Sequence, residues 1–206
     1  LQGQGDLSHI AMSQVDIATL GGNITGDVMA DWQAPINWAA NLTLAHIRPG
    51  LQWPEAEGDI SGTISTTGNL TEPGGWQVDV PKLDIDGVLR EYPLNITGSV
   101  TAADSSGKNE LSVQTSQLVL SHGPNSIEAT GQLDKQWRMD LAINFPDLVK
   151  TVPELKGRVV GDVSLRGDLQ QPNVGLDLEA RGIDWQQQAK LAKLSIKGNV
   201  TPLPAP

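Results

Sequence analysis

Between its glycines and prolines this chain alternates apolar and polar residues with a period of two. Trp76-Gln77-Val78-Asp79-Val80 does so, as does Met139-Asp140-Leu141-Ala142-Ile143-Asn144-Phe145. Shorter cases are Leu94-Asn95-Ile96, Leu111-Ser112-Val113, Leu176-Asp177-Leu178 and Leu194-Ser195-Ile196. Successive side chains of a strand point to opposite faces, so each segment makes one apolar face and one wetted face. Helical spacing is scarce: residues 146–150 leave room for one turn and residues 184–191 for a short helix, though Gln186, Gln187 and Gln188 blur the period there. The 22 glycines and 13 prolines are spread throughout and cut the chain into short pieces. Together these features predict an all-β fold.

A second pattern lies on the first. Units of apolar-x-Gly-x-apolar occur at Ile24-Gly26-Val28, Ile60-Gly62-Ile64, Ile96-Gly98-Val100, Ala129-Gly131-Leu133, Val159-Gly161-Val163 and Ile196-Gly198-Val200. Their glycines are 36, 36, 33, 30 and 37 residues apart, the spacing of a repeat architecture. Each glycine shares the apolar face with its two neighbours by parity, where it marks either a crowded bulge or a bend. Regular recurrence favours the bend.

A longer repeat is offset by 99 residues. Residues 58–73 and 157–172 share Gly, Gly, Ser, Gly, Leu and Pro at matching positions, and Pro54-Glu55 matches Pro153-Glu154. Residues 94–101 match 194–201 at an offset of 100. Head-to-tail copies give a quasi-one-dimensional object. The whole of residues 1–206 reads as an internal segment of such an object, with approximate units 22–57, 58–156 and 157–206 and no separate globular domains. A start at Leu1 fits a piece of a longer chain.

Composition excludes several functions. A net charge of −10 opposes nucleic acid as a partner, because phosphate binding needs clustered Lys and Arg. With no cysteine there is neither thiol catalysis nor a zinc–thiolate site nor a disulfide. His9, His46 and His122 have no metal-ligand spacing, and Asp84-Ile85-Asp86-Gly87 lacks the closing Glu of a calcium loop. No Gly-x-Ser-x-Gly elbow occurs, Ser121-His122 is a chance pair, and Gly3-Gln4-Gly5 meets Ser8 where a dinucleotide loop needs glycine. No metal, cofactor or catalytic residue is therefore expected, although a carboxylate pair on a β-solenoid remains open as a carbohydrate-active alternative. The Asn-x-Thr triplets at Asn23, Asn41, Asn69, Asn95 and Asn199 have an apolar middle residue, as strand alternation alone requires. The six tryptophans are dispersed and read as packing at strand ends.

A one-faced sheet must hide its apolar side, and helices to cover it are missing. If the sheet curls into a U, an interior of Ile, Val, Leu and Gly is smooth, uncharged and suited to acyl chains. The signature P-x-x-x-G-x-h-x-G-x-h-x-x-x-G-x-L-x-x-P, where h is apolar, spans Pro54 to Pro73 and Pro153 to Pro172. It resembles the TamB branch of the AsmA-like family. The resemblance implies an inner-membrane-anchored protein of Gram-negative bacteria that crosses the periplasm as a long β-groove. It also implies a partnership with the outer-membrane barrel TamA, through regions outside this segment, and roles in phospholipid transport and outer-membrane protein assembly.

The expectation is therefore a taco-like, incurved, repetitive β-sheet of 14–18 strands. Its groove would be lined by Ile24, Val28, Ile60, Ile64, Val78, Val80, Leu94, Ile96, Val100, Leu141, Ile143, Val159, Val163, Leu176, Leu178, Leu194, Ile196 and Val200. Gly26, Gly62, Gly98, Gly131, Gly161 and Gly198 would shape it. Phospholipid acyl chains are the expected cargo; the rival reading is a chaperone-like module that captures outer-membrane strands.

Overall fold

The computed structural model describes residues 2–5, 9–33, 35–71, 74–106, 110–186 and 188–201, with backbone only for residues up to 14 and for residue 71. Ser8, Pro73 and Gln187, singled out above, lie outside the described residues. Thirteen strands are present among them. They are β1 (Gln2–Gly5), β2 (His9–Thr19), β3 (Gly22–Asp31), β4 (Ile36–Ile47), β5 (Gly58–Thr71), β6 (Gly75–Leu89) and β7 (Tyr92–Asp104), then β8 (Leu111–His122), β9 (Asn125–Asp134), β10 (Gln136–Phe145), β11 (Leu155–Asp168), β12 (Pro172–Trp185) and β13 (Ala189–Val200). The all-β class expected from the alternation is what the chain adopts. The strand count falls below 14–18 because all strands after β1 run for 10 to 15 residues, longer than the short punctuated segments suggest.

The chain forms two compact units, Leu1–Val113 and Gln114–Pro206. Within each, strand order is chain order, and β1 to β7 and β9 to β13 pair antiparallel as meanders. No α-helix occurs among the described residues. Residues 146–150 do contain one tight turn, the 3₁₀ turn Leu148–Lys150. The helix allowed at 184–191 is not there: Asp184 and Trp185 end β12 and Ala189 opens β13. Gln186 takes a left-handed φ of 49° in the turn, closed by Gln188 N–H donating to the Trp185 carbonyl at 2.7 Å.

The 99-residue offset acquires a structural meaning here. It carries β5 onto β11, both of 14 residues, and β7 onto β13, so the period is six strands, β2–β7 and β8–β13. In both sets the long connection follows the third strand, at residues 48–57 and 146–154. A turn bond recurs as well: Arg90 N–H donates to Glu57 O at 2.7 Å, and Gln186 N–H to Glu154 O at 3.1 Å.

Register explains how one face stays apolar. Strands β2, β4, β6 and β12 each carry one extra residue against a neighbour. The slips lie between Met12 and Val15, Leu44 and Ile47, Val80 and Leu83, and Arg181 and Asp184. A strict period of two would send the apolar set to the other face at these points, and a bulge returns it. In β4 the bulge residue His46 takes φ 54°, and its N–H donates to Ser61 Oγ at 3.0 Å.

Little is sealed from water. Val15, Ile47, Leu133 and Leu148 are the buried apolar residues among those described.

Candidate functional site

The apolar face can be followed from strand to strand through backbone pairing. In the first unit the row Ile17–Ile24–Leu44–Gly62–Ile85–Ile96 crosses β2 to β7. Beside it runs Val15–Gly26–Leu42–Ile64–Leu83–Gly98, and nearer the strand ends Ile47–Ile60–Gly87–Leu94. Val80 pairs with Val100, Val78 with Gly68, and Val28 with Ala40 on the same face.

In the second unit the corresponding row is Ile127–Ile143–Gly161–Leu178–Ile196. Its neighbours are Ala129–Leu141–Val163–Leu176–Gly198, Gly131–Met139–Leu165–Val174–Val200 and Phe145–Val159–Ala180–Leu194. Most of these side chains are half-buried. On β13 they open further, Ile196 to 39% and Val200 to 52% exposure.

Two glycines show why this residue type recurs in the rows. Gly161 has φ 152° and its repeat mate Gly62 φ 158°, conformations that L side chains rarely adopt. A β-carbon on Gly161 would overlap the Asp177 carbonyl, and one on Gly62 the Asp84 carbonyl. The close approach brings adjacent backbones together where a side chain would prop them apart.

The opposite face is polar. Thr25–Thr43–Thr63–Asp84–Thr97 crosses the first unit, and Asp162–Asp177–Lys197 the second. Asn23, Asn41 and Asn95 and their threonines lie on this face, each pair straddling an apolar-face residue. Arg166 pairs with Asp140 at 2.9 Å, and His46 Nδ1 lies 3.2 Å from an Asp59 carboxylate oxygen. A hydrogen bond from Arg181, then its charge, holds the half-exposed Glu179 carboxyl below its ordinary pKa. Among the described residues no group of three or more His, Asp or Glu is placed to hold a metal. No helix among them is long and apolar enough to cross a membrane.

The sequence profile described as TamB, N-terminal domain, matches residues 1–206. The chain belongs to the TamB family. It is 32% identical over 200 residues to the translocation and assembly module subunit TamB of Haemophilus influenzae. That match covers 97% of this chain and 15% of the relative, so the chain spans a small part of the length of that TamB protein. No solved structure matches.

Within this TamB-family segment, each sequence-selected lining residue and glycine lies in one apolar face of its own unit. Parity reading missed Ile17, Leu42, Leu44, Leu83, Ile85, Ile127, Met139, Leu165 and Val174, which occupy the same rows. The sequence also gave no notice of a buried polar cluster at one end of the second unit. Asn125 donates from Nδ2 to the Asp147 carbonyl and to Thr151 Oγ1, both at 2.7 Å, and its Oδ1 accepts the Asp147 N–H at 3.2 Å. His122 Nδ1 lies 3.0 Å from the same Thr151 hydroxyl. These bonds fasten the β8–β9 turn to the connection that carries buried Leu148.

Proposed function

We propose that this chain is a segment of a hydrophobic conduit carrying phospholipid between the inner and outer membranes, with acyl chains on the apolar face and head groups in water. The supporting observation is the unbroken run of aliphatic side chains and glycines across each unit, half-buried and without a charged residue in its central rows. Burial is worth roughly 0.8 kcal/mol per methylene, so a lipid tail gains on the order of 10 kcal/mol wherever it lies on such a surface. A lining with no hydrogen-bonding demand holds the tail without fixing its position, and the lipid can slide.

In this reading the segment belongs to the periplasmic part of an inner-membrane-anchored protein of a Gram-negative bacterium. Like its relative, it serves a translocation and assembly module, and the partnership with TamA runs through other parts of the parent protein. It is not an enzyme. A chaperone-like role in outer-membrane protein assembly is the second reading. It would use the apolar face to hold an extended client strand.

The test is mass spectrometry of co-purified phospholipid. Ile96→Arg and Leu141→Arg should each lower it at least tenfold, because an arginine inserted among aliphatic side chains loses hydration without gaining a partner. Asp84→Asn, on the polar face, should leave it unchanged. Equal lipid in all three variants overturns the conduit.

A further inference from the structure

We propose that the first unit holds the glycerol ester groups of a diacyl phospholipid at one margin of its apolar face, against Trp38 and Thr66. The proposal rests on the conduit reading above and adds a place and an orientation for the lipid. Trp38 belongs to the row Ala30–Trp38–Gly68–Val78–Ala102, which crosses β3 to β7. A β-carbon on Gly68 would overlap Cζ2 and Cε2 of the Trp38 ring, so the indole lies over the glycine of the next strand. Thr66 pairs with Ala40 in the adjoining row and is the diagonal neighbour of Trp38, about 7–8 Å away. From Gly58 onward this face of β5 carries Ile60, Gly62 and Ile64, so Thr66 brings its first hydroxyl.

The chemistry of the pair selects the ligand. An indole N–H donates, and a threonine hydroxyl both donates and accepts. Neither group has a hydrogen-bond partner among the described residues, and both side chains are half-buried. Half-buried donors on an apolar face match acceptors that are uncharged and joined to hydrocarbon, since a charged group there would lose its hydration. The two ester carbonyls of a diacylglycerol are such acceptors, and they lie where its tails begin. Hydrogen bonds exchanged with water leave a small net gain, so the pair orients the lipid without trapping it.

The surroundings fix which way the tails run. Toward the connection 48–57 the face is aliphatic, as far as the row Ile47–Ile60–Gly87–Leu94, where Ile47 is 6% exposed. From Thr66 to Ile60, β5 spans about 20 Å at roughly 3.3 Å per residue, more than half of the roughly 30 Å hydrocarbon layer of a bilayer. In the other direction one row remains, Ile36–Leu70–Trp76–Asp104, which ends in a carboxylate and holds Leu70 at 44% exposure. Tails therefore point to the connection, and the head group emerges in water past Trp38. The second unit has the ring without the site. Trp137 pairs with Gly167, each 99 residues on from its mate, but its N–H donates to the Leu169 carbonyl at 3.4 Å, and Leu165 stands where Thr66 does. Ester recognition is assigned to the first unit alone.

Two photoreactive phosphatidylcholines test this on the unaltered full chain, one with a diazirine beside the ester and one with it at the methyl end of the tail, their adducts mapped by mass spectrometry. The ester-side probe should label Trp38, Ala40, Val78 and Val80 at least fivefold more than the methyl-end probe does. The methyl-end probe should lead by the same factor at Leu44, Ile47, Ile85 and Leu94. The reverse distribution, or one distribution shared by both probes, overturns the site and leaves the conduit standing. No adduct of either probe on the apolar face overturns the conduit itself. In competition, diacyl phosphatidylcholine should displace the probes at least fivefold more effectively than its dialkyl ether counterpart of equal chain length. Trp38→Phe and Thr66→Val should each at least halve that ratio, and Trp137→Phe should leave it unchanged. Equal displacement by ester and ether lipid in the unaltered chain overturns ester recognition.

Discussion

The two units run the same six-strand plan with different fastenings. In the first, three bulges keep the apolar face aligned, and the long connection is held by backbone bonds around Arg48, with Leu51 and Trp53 left in water. In the second, the ladders from β9 to β13 carry one bulge, in β12, and the connection is pinned from beneath by Asn125 with Leu148 buried. Where β9 opens on Asn125, β3 opens on Gly22. The shared features, ladders and close-approach glycines, set the surface; the differing ones set how tightly each end is closed.

Substitutions at the shared glycines should have the largest effect and the same size in both units. Gly62→Val and Gly161→Val each combine an unfavourable φ with overlap of a neighbouring carbonyl, and each should lower unfolding free energy by about 3–5 kcal/mol in urea titrations. A difference of more than about 2 kcal/mol between them would mean that the repeat is not conserved in its backbone packing. At the fastenings the units should part. Asn125→Ala removes three part-buried hydrogen bonds, those to Asp147 O, Asp147 N–H and Thr151 Oγ1, and should cost about 2–4 kcal/mol, with amide exchange accelerated at residues 147–151. Arg48→Ala removes one exposed, long bond from its guanidinium to the Gly21 carbonyl, 3.4 Å, and should cost about 1 kcal/mol or less.

The smallest effect concerns Glu179. Its carboxyl is held below the ordinary value, so its contribution is present above the usual carboxylate pKa and is lost as pH falls through the lowered one. Arg181→Ala should move the Glu179 titration upward in NMR, with little change in global stability because the pair is half-exposed.

The strands were legible because alternation is a local property. Val159 and Val163 can be assigned to one face without knowing any partner. The bulges were not legible by parity alone, since Val78 and Val80 are even-numbered and Leu83 and Ile85 odd. A usable signal was nonetheless present. Met12/Val15, Leu44/Ile47, Val80/Leu83 and Ala180/Ile183 are all apolar pairs spaced i, i+3 inside alternating runs; the first three bracket a register slip, and the fourth overlaps the one between Arg181 and Asp184. The same kind of broken period made 184–191 look open to helix. Asn125 offered no signal, because its partners Asp147 and Thr151 lie 22 and 26 residues away and only folding unites them.

The central claim is that lipid tails lie on one face of these strands. Photo-crosslinkers at Ile96 and Thr97, adjacent on β7 and opposite in facing, test it most directly, with Leu141 and Ala142 on β10 as the second pair. In cells, phospholipid adducts should form at Ile96 and Leu141 and be near background at Thr97 and Ala142. Equal labelling within both pairs would contradict the account.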